Sequence, residues 1–283
     1  MATVTLKDRA VIRFAGADAS RLLQDVLTPD LDKLADDEAL PGALLTPQGK
    51  VMFDFVIARD GDGGFLADLP ASLADDFMRR MMLYRLRAKM EIERAEGLTV
   101  VAAWDGDAPQ GARRDRRFRG ERHVHRAYVG SAPADSATAE DYARLRIEES
   151  VAEMGPDYPA SEAFPHDVLM DRNGGVSFRK GCFVGQEVVS RMQHRATARR
   201  RLVSVTGADV LPDGEVEITA GGRAIGTLGS RVSNTGLAIV RIDKAGAAMT
   251  SGAEIAAGGV PVTLTLAPWT GLSFETAAQA GEA

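Results

Sequence analysis

The chain has 283 residues, of which 45% are hydrophobic and 26% are charged, and this is the composition of a globular protein with two or three domains. Its formal net charge of −6 argues against a surface devoted to nucleic acid. The single cysteine excludes an internal disulfide, which suits a reducing compartment. The N-terminus has no apolar signal core and no run is long enough to span a membrane, so we expect a cytoplasmic protein without membrane contact.

The N-terminal part of the chain predicts a mixture of strands and helices. Alternating apolar residues favour a strand at 10–14, and strand, turn and strand follow over 43–57. A helix is predicted over 72–86, so residues 45–95 have the pattern of a split β–α–β unit within a larger domain. The methionines in and after this helix are expected to fill the core rather than bind a metal; they are Met78, Met81, Met82 and Met90.

Two clusters of arginine interrupt this pattern. The first lies in residues 105–122 and the second in residues 195–201; their members are Arg113, Arg114, Arg116, Arg117, Arg119, Arg122, Arg195, Arg199, Arg200 and Arg201. Such clusters can bind phosphates. Alternatively, the first is a solvated connector whose arginines pair with nearby acidic residues. The second is either a solvated helix end or a basic rim for an anionic ligand.

The only cysteine, Cys182, lies in the most informative stretch of the chain. Gly181 and Gly185 bracket it, so the backbone can turn sharply there and approach a ligand closely. A helical pattern begins after Gly185, which places the thiol just before a helix N-terminus, with Lys180 two residues away. The helix dipole and the ammonium both favour the thiolate. Cys182 and Lys180 are therefore the candidate catalytic residues, and the alternative is a buried structural cysteine.

The motif Lys-Gly-Cys-Phe-Val-Gly-Gln-Glu over residues 180–187, followed by Arg191, resembles the signature of the YgfZ-type folate-binding proteins. These are relatives of the glycine-cleavage aminomethyltransferase that serve the maturation of iron–sulfur proteins. The residues that support the cysteine in this motif are Gly181, Gly185, Gln186, Glu187 and Arg191. Phe183 stands where the family usually has tyrosine. The resemblance implies an α+β, aminomethyltransferase-like fold in three parts around a folate cavity.

The same resemblance implies which residues contact tetrahydrofolate or a derivative of it. Tyr142 falls where the family has an aromatic folate contact, and core packing is an equally open role for this side chain. Arg146 offers a positive charge to the aminobenzoyl-glutamate part. Asp54 offers a carboxylate to pterin N–H groups, and Lys50, at the start of the same strand, completes the set.

Short strands with Gly and Pro turns fill the chain beyond residue 201, and this pattern is typical of a small β-barrel. We therefore expect two domains. The first, residues 1–200, is the folate-binding aminomethyltransferase-like region, and the second, residues 201–283, is a C-terminal β-barrel.

The function that we expect is that of a folate-binding accessory protein for the maturation or repair of iron–sulfur proteins, working through the Cys182 thiol. One cysteine cannot hold a cluster, which takes four ligands, so iron–sulfur client or assembly proteins are the expected partners, and no permanently bound metal is expected. A second hypothesis is a folate-dependent aminomethyl or one-carbon transferase. The glycine-cleavage enzymes carry two adjacent aspartates where this chain has Phe53 and Asp54, which weakens that hypothesis. A third is a tRNA-binding or tRNA-modification factor, which rests on the arginine clusters alone.

Overall fold

The computed structural model describes residues 1–195 and 198–274; the other residues, including the end of the predicted 201–283 domain, lie outside the described residues. Within the described part, the N-terminal region is built on a nine-stranded sheet. Its strands are β1 (Ala2–Thr5), β2 (Arg9–Ala15), β3 (Glu38–Leu45), β4 (Val51–Arg59), β5 (Phe65–Pro70), β6 (Glu91–Arg94), β7 (Thr99–Trp104), β8 (Arg113–Asp115) and β9 (Val124–Val129).

The strand order in this sheet is β1-β7-β9-β8-β3-β4-β5-β2-β6. Neighbouring strands are antiparallel except β3 and β8. Because β5 and β6 both pair antiparallel with β2, they are parallel to each other with β2 between them. The helix α2 (Ala74–Arg85) connects them, which makes a split β–α–β arrangement. The strand between them, β2, precedes residues 45–95 in the chain, so this unit is part of the larger sheet.

Helices pack around the sheet and lead into the C-terminal region. The remaining helices of the N-terminal region are α1 (Ala19–Val26), α3 (Ala139–Glu148), α4 (Met170–Asn173) and α5 (Gln186–His194). Short 3-10 segments occur at Leu31–Lys33, Ala71–Leu73 and Pro268–Thr270. The start of α3 is fixed by a capping box. The Thr138 hydroxyl accepts from the Asp141 backbone N–H at 3.1 Å, and the Asp141 carboxylate accepts from the Thr138 N–H at 2.8 Å.

The core beneath α1 and α2 is aromatic. Phe77 of α2 lies with its ring centroid 5.4 Å from that of Phe53 and 6.1 Å from that of Phe14. Met81 and Met90 are buried in the same cluster, as predicted. Met82 is 47% exposed, so the prediction that it fills the core is wrong. It follows Met81 directly, and successive residues of a helix point to different sides.

The C-terminal region is a closed barrel. Its strands are β10 (Arg200–Gly207), β11 (Val216–Ala220), β12 (Arg223–Val232), β13 (Thr235–Arg241), β14 (Ile255–Ala257) and β15 (Val260–Thr265), in the order β10-β13-β12-β11-β14-β15. β15 pairs back onto β10, which removes the open edges. The structure adds β14 and a helix, α6 (Ile242–Ser251), that were not predicted. Leu202, Leu237 and Ile239 of the barrel share a core cluster with Val189 of α5, so the barrel packs directly against the cysteine motif.

Candidate functional site

The loop between α4 and α5 holds Cys182 at the protein surface. Cys182 is exposed, whereas the next residue, Phe183, is buried. Val184 then packs against the cluster beneath α1 and α2. The alternative of a buried structural cysteine is therefore wrong, since the residues after the thiol hold the loop in place while the thiol residue itself is exposed.

Lys180 fixes this loop on the other side of the cysteine. Its ammonium donates to the backbone carbonyl oxygens of Gln24, Leu27 and Pro29, at 2.5 Å for Leu27 and 3.1 Å for Pro29. These carbonyls lie at the end of α1 and in the turn after it, where helical N–H partners run out. Burial lowers the pKa of Lys180 to about 8, so the ammonium form still predominates at pH 7.

This geometry gives Lys180 a role that the sequence did not predict. Its ammonium is bonded to the α1 carbonyls, and no hydrogen bond joins it to Cys182 among residues 1–195 and 198–274. The helix α5 begins at Gln186, so Cys182 lies ahead of the first turn, and the influence of a helix dipole is confined to that turn. The hydrogen bonds of the Lys180 ammonium are therefore with carbonyl oxygens at and after the end of α1, not with the thiol. Lys180 is instead a positioning residue for the loop.

Gly185 is required by close backbone contact. It has a φ of +77°, and a Cβ there would lie 2.5 Å from the Thr46 carbonyl oxygen and 3.0 Å from the Gly49 Cα. The turn before β4 therefore packs directly onto the start of α5. Gly181 differs, because an added Cβ would meet no described atom within 4 Å and its φ is not positive. Close approach of a ligand at these two glycines stays a prediction, while Gly185 has in addition this requirement within the protein.

The remaining motif residues lie on α5. The Gln186 backbone N–H donates to the Phe183 carbonyl oxygen at 3.2 Å, which ties the loop to the first turn of the helix. Glu187 and Arg191 form an exposed ion pair at 3.3 Å. An exposed pair of this kind contributes little to stability, so both side chains are available at the surface beside the cysteine.

Lys180→Met keeps an unbranched side chain but removes the three donated hydrogen bonds, and it should loosen the Cys182 loop. A buried carbonyl left without a donor costs about 1–3 kcal/mol, so amide exchange over residues 177–185 should be roughly tenfold faster. Hydrogen exchange read by mass spectrometry measures this. Lys33→Met is the control, because exposed Lys33 pairs with Asp30 near the same turn. Equal exchange in the two variants would contradict the positioning role.

Asp54 lies beside a small internal cavity. Its Oδ2 accepts from the Tyr158 hydroxyl at 2.7 Å and from the Met154 backbone N–H at 3.0 Å, while Oδ1 is buried without a partner among the described residues. Burial raises the pKa of Asp54, and the charge of Arg9 offsets part of that rise. The cavity has a volume of about 20 Å³, which is room for a water molecule. Aminomethyl transfer at this carboxylate would need the cavity to widen, which weakens the transferase hypothesis.

Asp54→Asn should change how stability depends on pH. Because the pKa of Asp54 is raised on folding, the folded chain binds this proton more tightly than the unfolded chain does. The free energy of unfolding of the wild type should therefore fall, relative to the variant, as pH rises from about 4, the value for an unfolded aspartate, through the raised value. Urea unfolding at pH 4, 5.5 and 7 measures the difference, with exposed Asp36→Asn as control. A wild-type free energy of unfolding that stays level or rises relative to that of the variant as pH increases would refute the sign.

A larger cavity, of about 610 Å³, lies between β1 and α3. Tyr142 and Arg146 both line it, so the structure brings these two predicted folate contacts together. Asp54 lines only the smaller of the two cavities, and Arg9 lines both. Lys50 lines neither, because its ammonium donates to the Glu162 carbonyl oxygen at 2.6 Å and lies 3.6 Å from the centre of a phenylalanine ring.

A buried network of charges contributes to both cavities: Arg9 and Arg117 line the smaller one, and Arg9, Arg146 and Glu153 line the larger one. Its main contacts are Arg9 with Asp68 at 2.5 Å, Arg117 with Asp115 and with Glu153 at 2.8 Å, Arg126 with Asp115 at 3.3 Å, and Arg146 with Asp157 at 2.9 Å. Burial alone would raise the pKa of Glu153, but Arg146 and Arg117 outweigh it and hold that pKa well below its usual range. The sequence did not reveal this network, because a buried arginine and an exposed one have the same local sequence pattern.

Tyr142 is part of this network rather than a free aromatic surface. Its hydroxyl accepts from Arg117 at 2.8 Å and Arg126 at 3.1 Å, and its ring lies 6.2 Å from that of Trp104. The residue is 5% exposed. These contacts favour the alternative of core packing, with only an edge of the side chain at the cavity wall.

The arginine clusters are largely engaged within the protein. Arg117 is buried in the network, and Arg122 pairs with Asp105 at 2.5 Å and with Glu148 at 3.0 Å. In the second cluster, Arg201 donates to Asp171 at 2.7 Å. For the first cluster, this favours the paired alternative over a phosphate-binding surface. Arg195, Arg199 and Arg200 of the second cluster are exposed, so both of its alternatives stay open. Among the described residues, no group of three or more His, Cys, Asp or Glu side chains is arranged to hold a metal ion.

Comparison with known proteins gives three kinds of match. Residues 199–272 match the family model of the CAF17 C-terminal β-barrel domain. The mitochondrial iron–sulfur cluster assembly factor IBA57 homolog of Pyricularia oryzae is 30% identical over 278 residues, which cover 84% of this chain and 71% of the relative. The mitochondrial iron–sulfur cluster assembly factor IBA57 of Homo sapiens is 27% identical over 277 residues, 84% of this chain and 77% of that protein.

The crystal structure of the glycine cleavage system aminomethyltransferase T from Bartonella henselae superposes with a TM-score of 0.66. It covers 94% of this chain and 85% of its own, at 13% identity. An identity this low carries the fold alone. The predicted α+β, aminomethyltransferase-like fold with a C-terminal barrel is confirmed.

The expected cytoplasmic location is contradicted by these relatives, which are named as mitochondrial proteins. A chain with one cysteine lacks an internal disulfide in every compartment, so this feature does not identify the location. No helix in residues 1–195 and 198–274 is long and apolar enough to cross a membrane.

Proposed function

Because the chain belongs to the IBA57 family of iron–sulfur cluster assembly factors, we propose that it supports the maturation of iron–sulfur proteins, with Cys182 as its working thiol and a reduced folate as its ligand. The relatives carry the IBA57 name, so the finer YgfZ-type label stays a prediction. The observation that carries the proposal is the exposed thiol on a loop held by Lys180 on one side and by Phe183 and Val184 on the other.

The arrangement suits a thiol that supplies one ligand to a cluster bound elsewhere. A cluster normally takes four protein ligands and this chain has one cysteine, so the other ligands come from a partner protein or a small thiol. A fixed loop lowers the entropy lost when the thiol engages a partner, since its backbone is already ordered. An exposed position gives the partner direct access.

A strain that lacks the chain tests this role. Activities of its iron–sulfur enzymes should fall while enzymes without clusters stay unchanged, and expression of the full chain should restore the lost activities. Equal iron–sulfur enzyme activities with and without the chain would refute the proposal.

The cavity of about 610 Å³ is the place where a folate fits. Its volume is in the usual range for small-molecule sites, and Val4 and Leu6 give it apolar walls. Lys7 at its rim is exposed and takes part in no ion pair among the described residues, so its ammonium is free to bind glutamate carboxylates. Arg146 lines the same cavity, and its Nε forms no hydrogen bond but lies 3.4 Å from a Glu153 carboxylate oxygen. When bound, a reduced folate would supply one-carbon or protective redox chemistry, while these residues bind and orient it.

Titration calorimetry with tetrahydrofolate tests the folate part of the proposal. If Lys7 binds the glutamate tail, Lys7→Glu should weaken the affinity for a polyglutamylated folate more than for the monoglutamate. Lys244→Glu, at an exposed position on α6, is the matched control. No heat from the micromolar to the millimolar range would remove folate from the proposal and leave the role of Cys182 standing.

A further inference from the structure

An exposed apolar patch lies at the C-terminal end of α2. Met82 is 47% exposed, Leu83 66% and Leu86 84%. The opposite side of this helix, with Ala74, Phe77 and Met81, is buried in the core. The exposed side of α2 therefore carries apolar residues near its C-terminal end, where a helix that only covers a core exposes polar residues to solvent.

Backbone conformation adds to the cost of this arrangement. Leu86 follows the last residue of α2 with a φ of 45° and a ψ of −105°, a conformation that non-glycine residues rarely adopt. Leu86 is 84% exposed, so little burial of its side chain offsets the free-energy cost of this backbone conformation. Features of this kind occur where a surface serves binding.

Cations surround the patch. Five basic residues with exposed side chains lie within or just after α2: Arg79, Arg80, Arg85, Arg87 and Lys89. Arg79 pairs with Asp76, but no ion pair among the described residues involves Arg80, Arg87 or Lys89. The patch is thus locally positive on a chain whose net charge is −6. Complementarity calls for an acidic rim around an apolar centre on whatever covers it.

The patch and the Cys182 loop are connected through α1 and one core cluster. The helix α1 packs against α2. Lys180 donates to carbonyl oxygens at the end of α1, and Val184 packs against the cluster that contains Phe77 of α2. Lys180 and Val184, which anchor the cysteine loop, therefore contact the end of α1 and the core cluster on which α2 packs.

We propose that Met82, Leu83 and Leu86, with Arg80 and Arg87, form the docking surface for the protein that shares the cluster with Cys182, and that this protein presents an acidic face with an apolar centre. The inference rests on the proposed function, which requires such a partner. A bilayer suits the patch less well, because the other side of α2 is committed to the core. Membrane-binding helices insert a wide apolar face, and only three side chains are available here.

The test expresses full-length variants in the strain that lacks the chain. Leu83→Glu combined with Leu86→Glu should lower the support of iron–sulfur enzymes at least about tenfold, because charge at the centre of an interface removes its main contacts. The protein should still fold, since Leu83 and Leu86 are exposed and a glutamate at position 83 would lie three residues after Arg80 on α2. Val210→Glu, at a barrel residue that is 61% exposed, is the matched control and should keep full support. Arg80→Glu combined with Arg87→Glu should also lose support.

A photo-crosslinking amino acid at position 83, compared with one at position 210, identifies the partner in living cells. We expect an adduct at 83 that maps to an acidic segment of another protein and is lost when Arg80 and Arg87 are reversed to glutamate. Full support by the Leu83 and Leu86 double variant, or an adduct on a basic segment, would overturn the proposal. So would sedimentation of the wild type, but not the double variant, with phosphatidylserine vesicles. If even Cys182→Ser leaves the enzymes active, the proposed function fails, while the adduct still decides the docking surface.

Discussion

Cys182→Ser is expected to abolish the support of iron–sulfur enzymes while leaving the protein folded. A serine hydroxyl does not ionise near neutral pH and is a poor ligand for iron in place of a thiolate. Loss of a metal ligand costs at least as much as loss of the groups that orient ligands, about 10–100-fold, and we expect an effect of that size or more. Because the residue is exposed, the free energy of unfolding should change by less than about 0.5 kcal/mol.

The measurement is the activity of several iron–sulfur enzymes in the complemented strain, together with thermal unfolding of the purified variants. Gly181→Ala is the neighbouring control, because an added Cβ there meets no described atom within 4 Å. Alkylation of the single thiol should reproduce the effect of the serine variant in a purified assay. Full enzyme activity with Cys182→Ser would show that the thiol plays no part.

Arg126→Met is expected to produce the largest loss of stability. Arg126 is completely buried, and it lies 3.3 Å from Asp115, 3.6 Å from Asp68 and 3.1 Å from the Tyr142 hydroxyl. Removing one member of a buried ionic group leaves its partners uncompensated, which costs roughly 3–5 kcal/mol. Urea unfolding at pH 7 measures the change.

Arg144→Met is the control for this prediction, since Arg144 forms an exposed pair with Glu140 at 3.1 Å. Arg144→Met should lower the free energy of unfolding by about 0.5 kcal/mol or less. Arg126→Lys keeps the charge but not the planar guanidinium. Its loss of stability should therefore lie between those of Arg126→Met and Arg144→Met. A cost below about 1 kcal/mol for Arg126→Met would mean that the buried charges solvate one another without that arginine.

The sequence by itself determined the elements that depend on neighbours along the chain. Alternation predicted the strands around residues 10–14 and 43–57, and the apolar period predicted α2, because each pattern is a local consequence of one buried side. The barrel strands were predicted for the same reason. The helix α6 was not predicted, since its small residues give a weak amphipathic pattern. The cysteine motif was found because its unusual residues are contiguous.

Only the tertiary structure decided what those residues contact. Lys180 donates to the Gln24 carbonyl oxygen, 156 residues away in the sequence. The sequence shows that Lys180 is near Cys182 along the chain, but it could not show that the ammonium bonds to α1. Asp54 and Tyr142 are separated into different cavities by how the strands and α3 pack. Met81 and Met82 carry the same side chain on adjacent positions, yet one is buried and the other exposed. Contacts between distant segments are set by packing, and no local pattern encodes them.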